Sequence, residues 1–322
     1  MFHHQDLKQK ANEALLRAPC DPKRLVLTHV GVTTVASLLL TAITYFLQVK
    51  IENTGGLSGI GTRSILSTAM IILRLFYAVL LPFWQIGYLS VGISIARRDL
   101  ADTDTLYSGF HRFWSVLRLY LFQGLIFGAL FLGSNYLSSY LYMLTPWGQP
   151  LSDQMLAAME QSGSLLGDET MLNAFAEHAV PILIFGGLIF LSLLIPVFYR
   201  IRLCRYRVMD GQNRPVRAIL ESVKLTKGGW LSLAKLDLSF WWFYAAQILI
   251  SIVAYADVLL ELAGYPLPWD PVAVFFVPYL CSMVLQFCFL LWQKNRVAVT
   301  YALAYDTLRK AKEAADAPQA ET

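Results

Sequence analysis

Six stretches of this chain contain no Asp, Glu, Lys or Arg over a length that could cross a bilayer. They are Leu25–Val49, Leu75–Ala96, Leu119–Ser152, His178–Tyr199, Leu238–Ala256 and Pro271–Gln293. A helix needs about 20 mostly apolar residues to cross the hydrocarbon core. Lipid offers no hydrogen-bond partners to the backbone, so such segments are expected to be helical. The pattern predicts an all-α membrane protein with six transmembrane helices.

The composition agrees with this prediction. Hydrophobic residues make up 56% of the 322 residues and charged residues 15%, against about 45–50% and about 25% in soluble domains. We place the spans of a single integral membrane domain, 1–322, at 25–49, 65–96, 113–145, 178–203, 230–256 and 271–293. A cytoplasmic helix at 1–24, an acidic outer loop at 146–177 and a cytoplasmic tail at 306–322 complete the predicted organisation.

Lys and Arg are concentrated in alternate connections. Five precede the first charge-free stretch, and eight lie between the end of the fourth stretch at Tyr199 and Trp230, where the fifth span is placed. The first outer connection contains Lys50 and Arg63, and the other two contain neither Lys nor Arg. Positively charged flanks stay in the cytoplasm. The distribution therefore predicts a multi-pass protein of the cell (cytoplasmic) membrane with both termini in the cytoplasm.

A short segment with apolar residues at helical spacing precedes each odd-numbered span. The three apolar sets are Leu7, Ala11, Ala14 and Leu15, then Leu106, Phe110 and Phe113, then Val216, Ile219, Leu220 and Val223. Such segments are typical of helices in the headgroup plane, and the Lys and Arg beside them predict contact with anionic lipid headgroups. The chain is predicted to form three tandem units, each a cytoplasmic interfacial amphipathic helix followed by a transmembrane hairpin.

Ionisable residues within or beside the spans are the candidate functional residues, because burying a charge requires a partner. They are Asp237, Lys235 and Arg74. Lys235 and Arg74 are expected to extend toward the interface. Asp237 lies about 10 Å into span five, at about 1.5 Å per residue, and is the first candidate. It could accept hydrogen bonds from a neighbouring helix, or it could be a coupling site for protons or cations.

The even-numbered spans contain prolines that are candidates for helix bending, namely Pro82, Pro196 and Pro278. A proline inside a helix frees a carbonyl and bends the axis. The alternative is that these prolines reflect only the general frequency of proline in membrane helices. In span three, Gln123, Asn135 and the pair Gly124 and Gly128 predict helix packing rather than a solute pathway.

Motifs that carry chemistry are missing from the sequence. It has no Gly-rich phosphate loop, no zinc-protease helix motif and no nucleophile elbow. The five histidines and four cysteines are not at ligand spacing, so we expect neither a metal nor another cofactor. The net charge of +4 fits a membrane surface better than a nucleic acid, because the basic residues are sorted to one side.

Several short motifs resemble one known family. They are Leu7-Lys8-Gln9-Lys10-Ala11, Leu106-Tyr107-Ser108-Gly109-Phe110, Ala218-Ile219-Leu220-Glu221-Ser222 running on to Lys227-Gly228-Gly229, Leu236-Asp237-Leu238-Ser239-Phe240-Trp241-Trp242, Pro278-Tyr279 and Ala298-Val299-Thr300-Tyr301. They are similar to the bacterial integral-membrane family described as domain of unknown function 975. The resemblance implies a multi-pass protein of the bacterial inner membrane without an established activity. The acidic loop Leu151–Glu177 departs from that family, whose outer loops are expected to be shorter.

Two functions are compatible with these features. The first is a non-enzymatic structural, regulatory or accessory membrane component, which would act through its cytoplasmic helices on a membrane-protein partner or a second copy. The alternative is a transporter or permease for a small solute or lipid that uses the proline-bent spans and Asp237. A polar, water-accessible cavity between spans two, five and six would favour transport, and a solid apolar interior would favour the accessory role.

Overall fold

The fold was examined in a computed structural model, which describes residues 3–54, 60–153, 156, 169–212, 214–262, 264 and 271–316. The described residues form α-helices and no strand. The helices are α1 (His4–Leu16), α2 (Pro22–Asn53), α3 (Ile60–Arg97), α4 (Thr103–His111), α5 (Phe113–Met143), α6 (Glu169–Ile201), α7 (Cys204–Met209), α8 (Pro215–Thr226), α9 (Trp230–Leu238), α10 (Trp241–Ala254), α11 (Ala256–Leu262) and α12 (Pro271–Asp316).

Several of these helices are long and apolar enough to cross a membrane. Among the described residues they are α2, α3, α5, α6 and α12. A sixth span results if α9 and α10 are counted together, since they are separated by a short break with a 55° bend. The most apolar part of each long helix is at most 17% buried within the protein. Lipid therefore has to cover most of this surface.

The long helices pack in sequential pairs. Extended contacts join α2 to α3, α5 to α6, and α10 to α12, and α12 also packs against α2 and α3. The short helices α1, α4, α7 and α8 form one end of the molecule, which we call the short-helix end. The buried apolar side chains are concentrated there. Leu7 of α1, Phe83 of α3, Leu106 of α4, Leu203 before α7 and Tyr305 of α12 are all buried there. The short helices thus hold together the ends of the long ones.

Local sequence signals explain where the short helices begin. Asp102 caps α4 by accepting a hydrogen bond from the Thr105 amide at 3.0 Å, and the Thr105 hydroxyl accepts one from the Asp102 amide in return. Pro215 is the first residue of α8, a position where its missing N–H costs no hydrogen bond. Both features fix the point at which the chain turns into a helix.

Two glycines allow α4 to lie directly on α3. A Cβ atom at Gly109 would overlap the Phe83 carbonyl, and one at Gly87 would overlap the Leu106 carbonyl. Within the described part of the chain, a Cβ at Gly124 or Gly128 would meet nothing within 4 Å, so no other helix of this chain packs closely on α5 there. The close contact between α5 and α6 is made instead at Gly186, where a Cβ would lie 3.0 Å from the Ser138 hydroxyl.

The predicted spans overlap the observed helices, although the third and fourth extend two residues beyond α5 and α6. Three further differences are larger. Helix α6 begins at Glu169, so the end of the predicted loop 146–177 is helical, and residues 157–168 of that loop lie outside the described residues. Helix α12 continues unbroken from the sixth span through most of the predicted tail. Pro82, Pro196 and Pro278 each lie inside an unbroken helix, whereas the break occurs in span five at Ser239 and Phe240.

Candidate functional site: a polar cavity between the long helices

A cavity of about 520 Å³ lies between the long helices near the short-helix end. Residues from α2, α3, α5, α6, α7, α10 and α12 line it, so every long helix contributes to the wall. Four glutamines from spans two, three, five and six are among the lining residues: Gln85, Gln123, Gln247 and Gln286. Amide side chains are costly to place in hydrocarbon. Their convergence on one space indicates a polar interior rather than a solid apolar one.

The charged residues of the lining are all basic. Arg202, Arg205 and Lys294 face the cavity, and no Asp or Glu is part of the described wall. Arg202 is neutralised by an ion pair with Asp237. Arg205 and Lys294 form no salt bridge within the described part of the chain, and the Arg205 guanidinium lies 5.1 Å from the centre of the Tyr120 ring. The described wall therefore contains two basic side chains without a carboxylate partner.

Lys294 is held in place by α2 and α3. Its ammonium lies 2.9 Å from Nδ1 of His29 and 4.8 Å from the centre of the Tyr88 ring. The His29 ring packs on Trp84 and Tyr88, and the Trp84 indole donates a hydrogen bond to the His29 carbonyl at 3.1 Å. When Lys294 is protonated, its ammonium can only donate, and Nδ1 of His29 accepts.

Several buried polar atoms of the wall have no hydrogen-bond partner among the described residues. They are Nε2 of His29, the hydroxyl of Tyr120, Oε1 of Gln123 and Oε1 of Gln286. Buried polar groups in proteins are almost always satisfied. Four polar atoms of lining residues thus remain without a partner in the described part of the chain.

Asp237 lies beside the cavity at the centre of a polar cluster. Its carboxylate pairs with Arg202 and accepts hydrogen bonds from the hydroxyls of Tyr301 and Tyr199, the latter at 2.7 Å. The Arg202 guanidinium also lies over the Tyr301 ring, 4.3 Å from its centre. Tyr244 joins the cluster through its hydroxyl, 3.2 Å from that of Tyr301. The cluster connects α6, α9, α10 and α12 at the broken span.

A helical break leaves carbonyls without intrahelical partners, and the break in span five is covered by α1. The Lys8 ammonium donates a hydrogen bond to the Ser239 carbonyl at 2.6 Å and lies 4.1 Å from the centre of the Phe240 ring. Burial lowers the pKa of Lys8, and the positive charge of Arg296 lowers it further. The predicted interfacial helix α1 therefore also has a specific structural contact.

A second polar cluster joins the short-helix end to α3 and α12. Arg97 at the end of α3 bonds to Asp210 and Asp306, both at 2.7 Å. Asp210 also accepts hydrogen bonds from Arg309 and, at 2.8 Å, from the Tyr305 hydroxyl. Burial alone would raise the pKa of Asp210, but the bonds from Arg97 and Tyr305 outweigh it and the pKa is lowered. This cluster fixes the position of the loop after α7.

A second cavity of about 360 Å³ adjoins the first on the side away from the short-helix end. The two share Thr33, Gln286, Leu290 and Lys294 as walls. Hydroxyl groups dominate its polar lining, and two of them are bonded across helices, since the hydroxyls of Ser37 and Tyr279 lie 3.3 Å apart. Together the cavities form a polar region that extends along α2, α10 and α12.

The predicted site residues are only partly brought together. Asp237 belongs to the cluster beside the cavity, whereas Lys235 and Arg74 are exposed on the surface of α9 and α3. Sequence reasoning missed His29, Arg202, Arg205 and Lys294. Arg202, Arg205 and Lys294 had been assigned to the basic flanks of spans, but α12 continues past Lys294 and the chain after α6 folds back over the cavity. The glutamines of spans two, five and six were the signal that could have indicated a polar interior.

Comparison of this chain with protein-family models, with curated proteins and with solved structures finds no match. The resemblance to the domain of unknown function 975 stays a prediction from the motifs quoted above.

Proposed function

We propose that this protein is a membrane permease that takes a small anionic group into the polar cavity. The observation that carries the proposal is the charge of the lining, which includes Arg205 and Lys294 without carboxylate partners. Leaving charges unneutralised in a low-dielectric interior is costly unless a counter-ion binds there. The space has the size of a typical small-ligand site. A small anion would supply the missing charge.

We further propose that six spans form three hairpins and that the short-helix end faces the cytoplasm. The protein would reside in the cytoplasmic membrane, as a member of the family it resembles. The sequential packing of α2 on α3, α5 on α6 and α10 on α12 supports the hairpins. On α8, the apolar residues Val216 and Leu220 are 49% and 56% exposed, which suits contact with the inner leaflet and its anionic headgroups.

The accessory function, in which the protein serves a membrane-protein partner or a second copy, is the second candidate. The same exposed apolar residues of α8 favour it, because a partner could cover them as well as lipid. This function needs no cavity with unneutralised charge, so we rank it below the permease. In neither function do we propose a catalytic residue or a cofactor.

Uptake into proteoliposomes tests the proposal. The wild-type protein should carry inorganic phosphate or glycerol 3-phosphate into vesicles faster than into protein-free vesicles, and should not carry choline. A variant with Arg205→Gln and Lys294→Gln should lose at least about tenfold in uptake, because a hydrogen bond to a charged group contributes about 1.5–3 kcal/mol. Lys310→Gln, an exposed position of the same helix α12, is the matched control and should transport like the wild type.

Two results would contradict the proposal. The first is a wild-type protein whose uptake of both anions equals that of protein-free vesicles. The second is a folded double variant that transports at the wild-type rate, since anion passage would then not depend on the cavity charges.

A further inference from the structure

The outer side of α10 carries a groove that is connected to both cavities. This groove has a volume of about 640 Å³. It shares Tyr244 and Gln247 with the first cavity and Ser251 and Tyr255 with the second. One helix therefore separates the polar interior from a concave surface that faces the surroundings of the protein.

The wall of the cavity is incomplete beside α10. Helix α10 packs against α11 and α12, and α6 packs against α5. Among the described residues, α6 and α10 make no extended contact with each other. Phe198 of α6 and Tyr244 of α10 both line the cavity and are nevertheless 39% and 38% exposed. The cavity thus has an incomplete wall between α6 and α10.

The groove and the cavity differ in charge, because the cavity contains basic side chains and the described lining of the groove contains none. Three of the seven groove residues are exposed and aliphatic, namely Ile248, Ile252 and Leu259. The unneutralised charges of Arg205 and Lys294 lie inside the cavity. A ligand that fits both spaces has an anionic head and an apolar chain. A soluble anion lacks the apolar chain that could contact the groove.

We infer that the substrate is an anionic lipid that enters between α6 and α10, with its headgroup at Arg205 and Lys294 and its chain in the α10 groove. This inference rests on the proposed function and names the substrate class. Gln247 stands at the boundary, because it is half-buried and lines both spaces. It would be the first polar group of the protein to meet the headgroup.

Native mass spectrometry of the purified full-length protein tests the inference. Phosphatidylglycerol should remain bound at one molecule per protein through collisional removal of detergent, and phosphatidylcholine should not. Gln247→Trp places a bulky ring in the opening and should reduce the fraction with bound phosphatidylglycerol at least about fivefold. Leu249→Trp is the matched control, since Leu249 is 64% exposed on α10 but does not line the groove. It should retain the lipid.

Glycerol 3-phosphate carries the headgroup phosphate without the chains. Its binding therefore tests the anion site of the proposed function independently of the lipid inference. If it binds to the wild type and to Gln247→Trp alike while phosphatidylglycerol does not bind, the anion site stands and the lipid inference is overturned. If Arg205→Gln with Lys294→Gln retains phosphatidylglycerol as the wild type does, the lipid lies elsewhere and the lipid inference is overturned, while uptake of the soluble anions still decides the proposed function. Equal retention by Gln247→Trp and Leu249→Trp would overturn the path between α6 and α10.

Discussion

Asp237 shows how a single carboxylate organises the broken span. The sequence predicted that this residue needs a partner within the membrane, and the structure places Arg202, Tyr199 and Tyr301 against it. With side chains that are 20% and 16% exposed, Arg202 and Asp237 are largely removed from solvent. Removing one member of such a pair leaves the other as an uncompensated charge.

Substitutions of Asp237 should separate its charge from its hydrogen bonds. Asp237→Leu should destabilise the protein by about 3–5 kcal/mol, since Arg202 would stay buried without a counter-ion. Asp237→Asn should cost less, about 1–3 kcal/mol, because an amide oxygen can still accept from Tyr199 or Tyr301. Adding Arg202→Met to Asp237→Leu should recover part of the loss. The midpoint of thermal unfolding in detergent measures all three, and an unchanged midpoint for Asp237→Leu would show that the pair does not stabilise the fold.

Residue pairs of this kind could not be predicted from the sequence. The spacing of apolar residues reveals which segment is a helix, but His29 and Lys294 are separated by 265 positions. Their contact depends on how α2, α3 and α12 pack, and no local pattern encodes that. Arg202 was counted as a cytoplasmic flank because it follows the fourth charge-free run, and only the bend after α6 turns it toward Asp237.

At the scale of elements, the presence of long apolar helices was predictable from the sequence, and the break between α9 and α10 was not. Charge-free runs identify helices because hydrocarbon excludes charges regardless of the fold. Bends were expected at Pro82, Pro196 and Pro278, yet the break lies at Ser239 and Phe240. A break requires partners for the carbonyls it frees, and the Lys8 ammonium provides one for Ser239. Such a contact between distant helices has no signature in span five itself.

The contact between α3 and α4 should depend on a glycine. Gly109→Ala should destabilise the protein by about 1–3 kcal/mol, because the added methyl group overlaps the Phe83 carbonyl and forces the two helices apart. Gly124→Ala in α5 is the control, since a Cβ there meets nothing, and alanine is the better helix former. Thermal unfolding of both variants in the same detergent checks the difference. Equal midpoints would show that α4 can shift on α3 without loss.

For the whole molecule, the orientation in the membrane can be tested by accessibility. We expect the short-helix end to face the cytoplasm, because the Lys- and Arg-rich connections lie there. Single cysteines at Gln149, Asp104 and Ala315, in a background without native cysteines, should react differently with a membrane-impermeant thiol reagent on intact cells. Only the cysteine at position 149 should be labelled. Labelling at position 104 or 315 in cells with intact membranes would reverse the orientation.

The long reach of α12 has a consequence for biosynthesis. This helix contacts α1, α2 and α3, and its Lys294 pairs with His29 at a separation of 265 residues. At about 5–20 residues per second, roughly 15–50 s of translation pass between the two. During that time the polar side chains of the early helices lack their partners on α12 and remain in contact with lipid or the insertion machinery. A premature stop before Pro271 would leave them there permanently, as a target for membrane quality control.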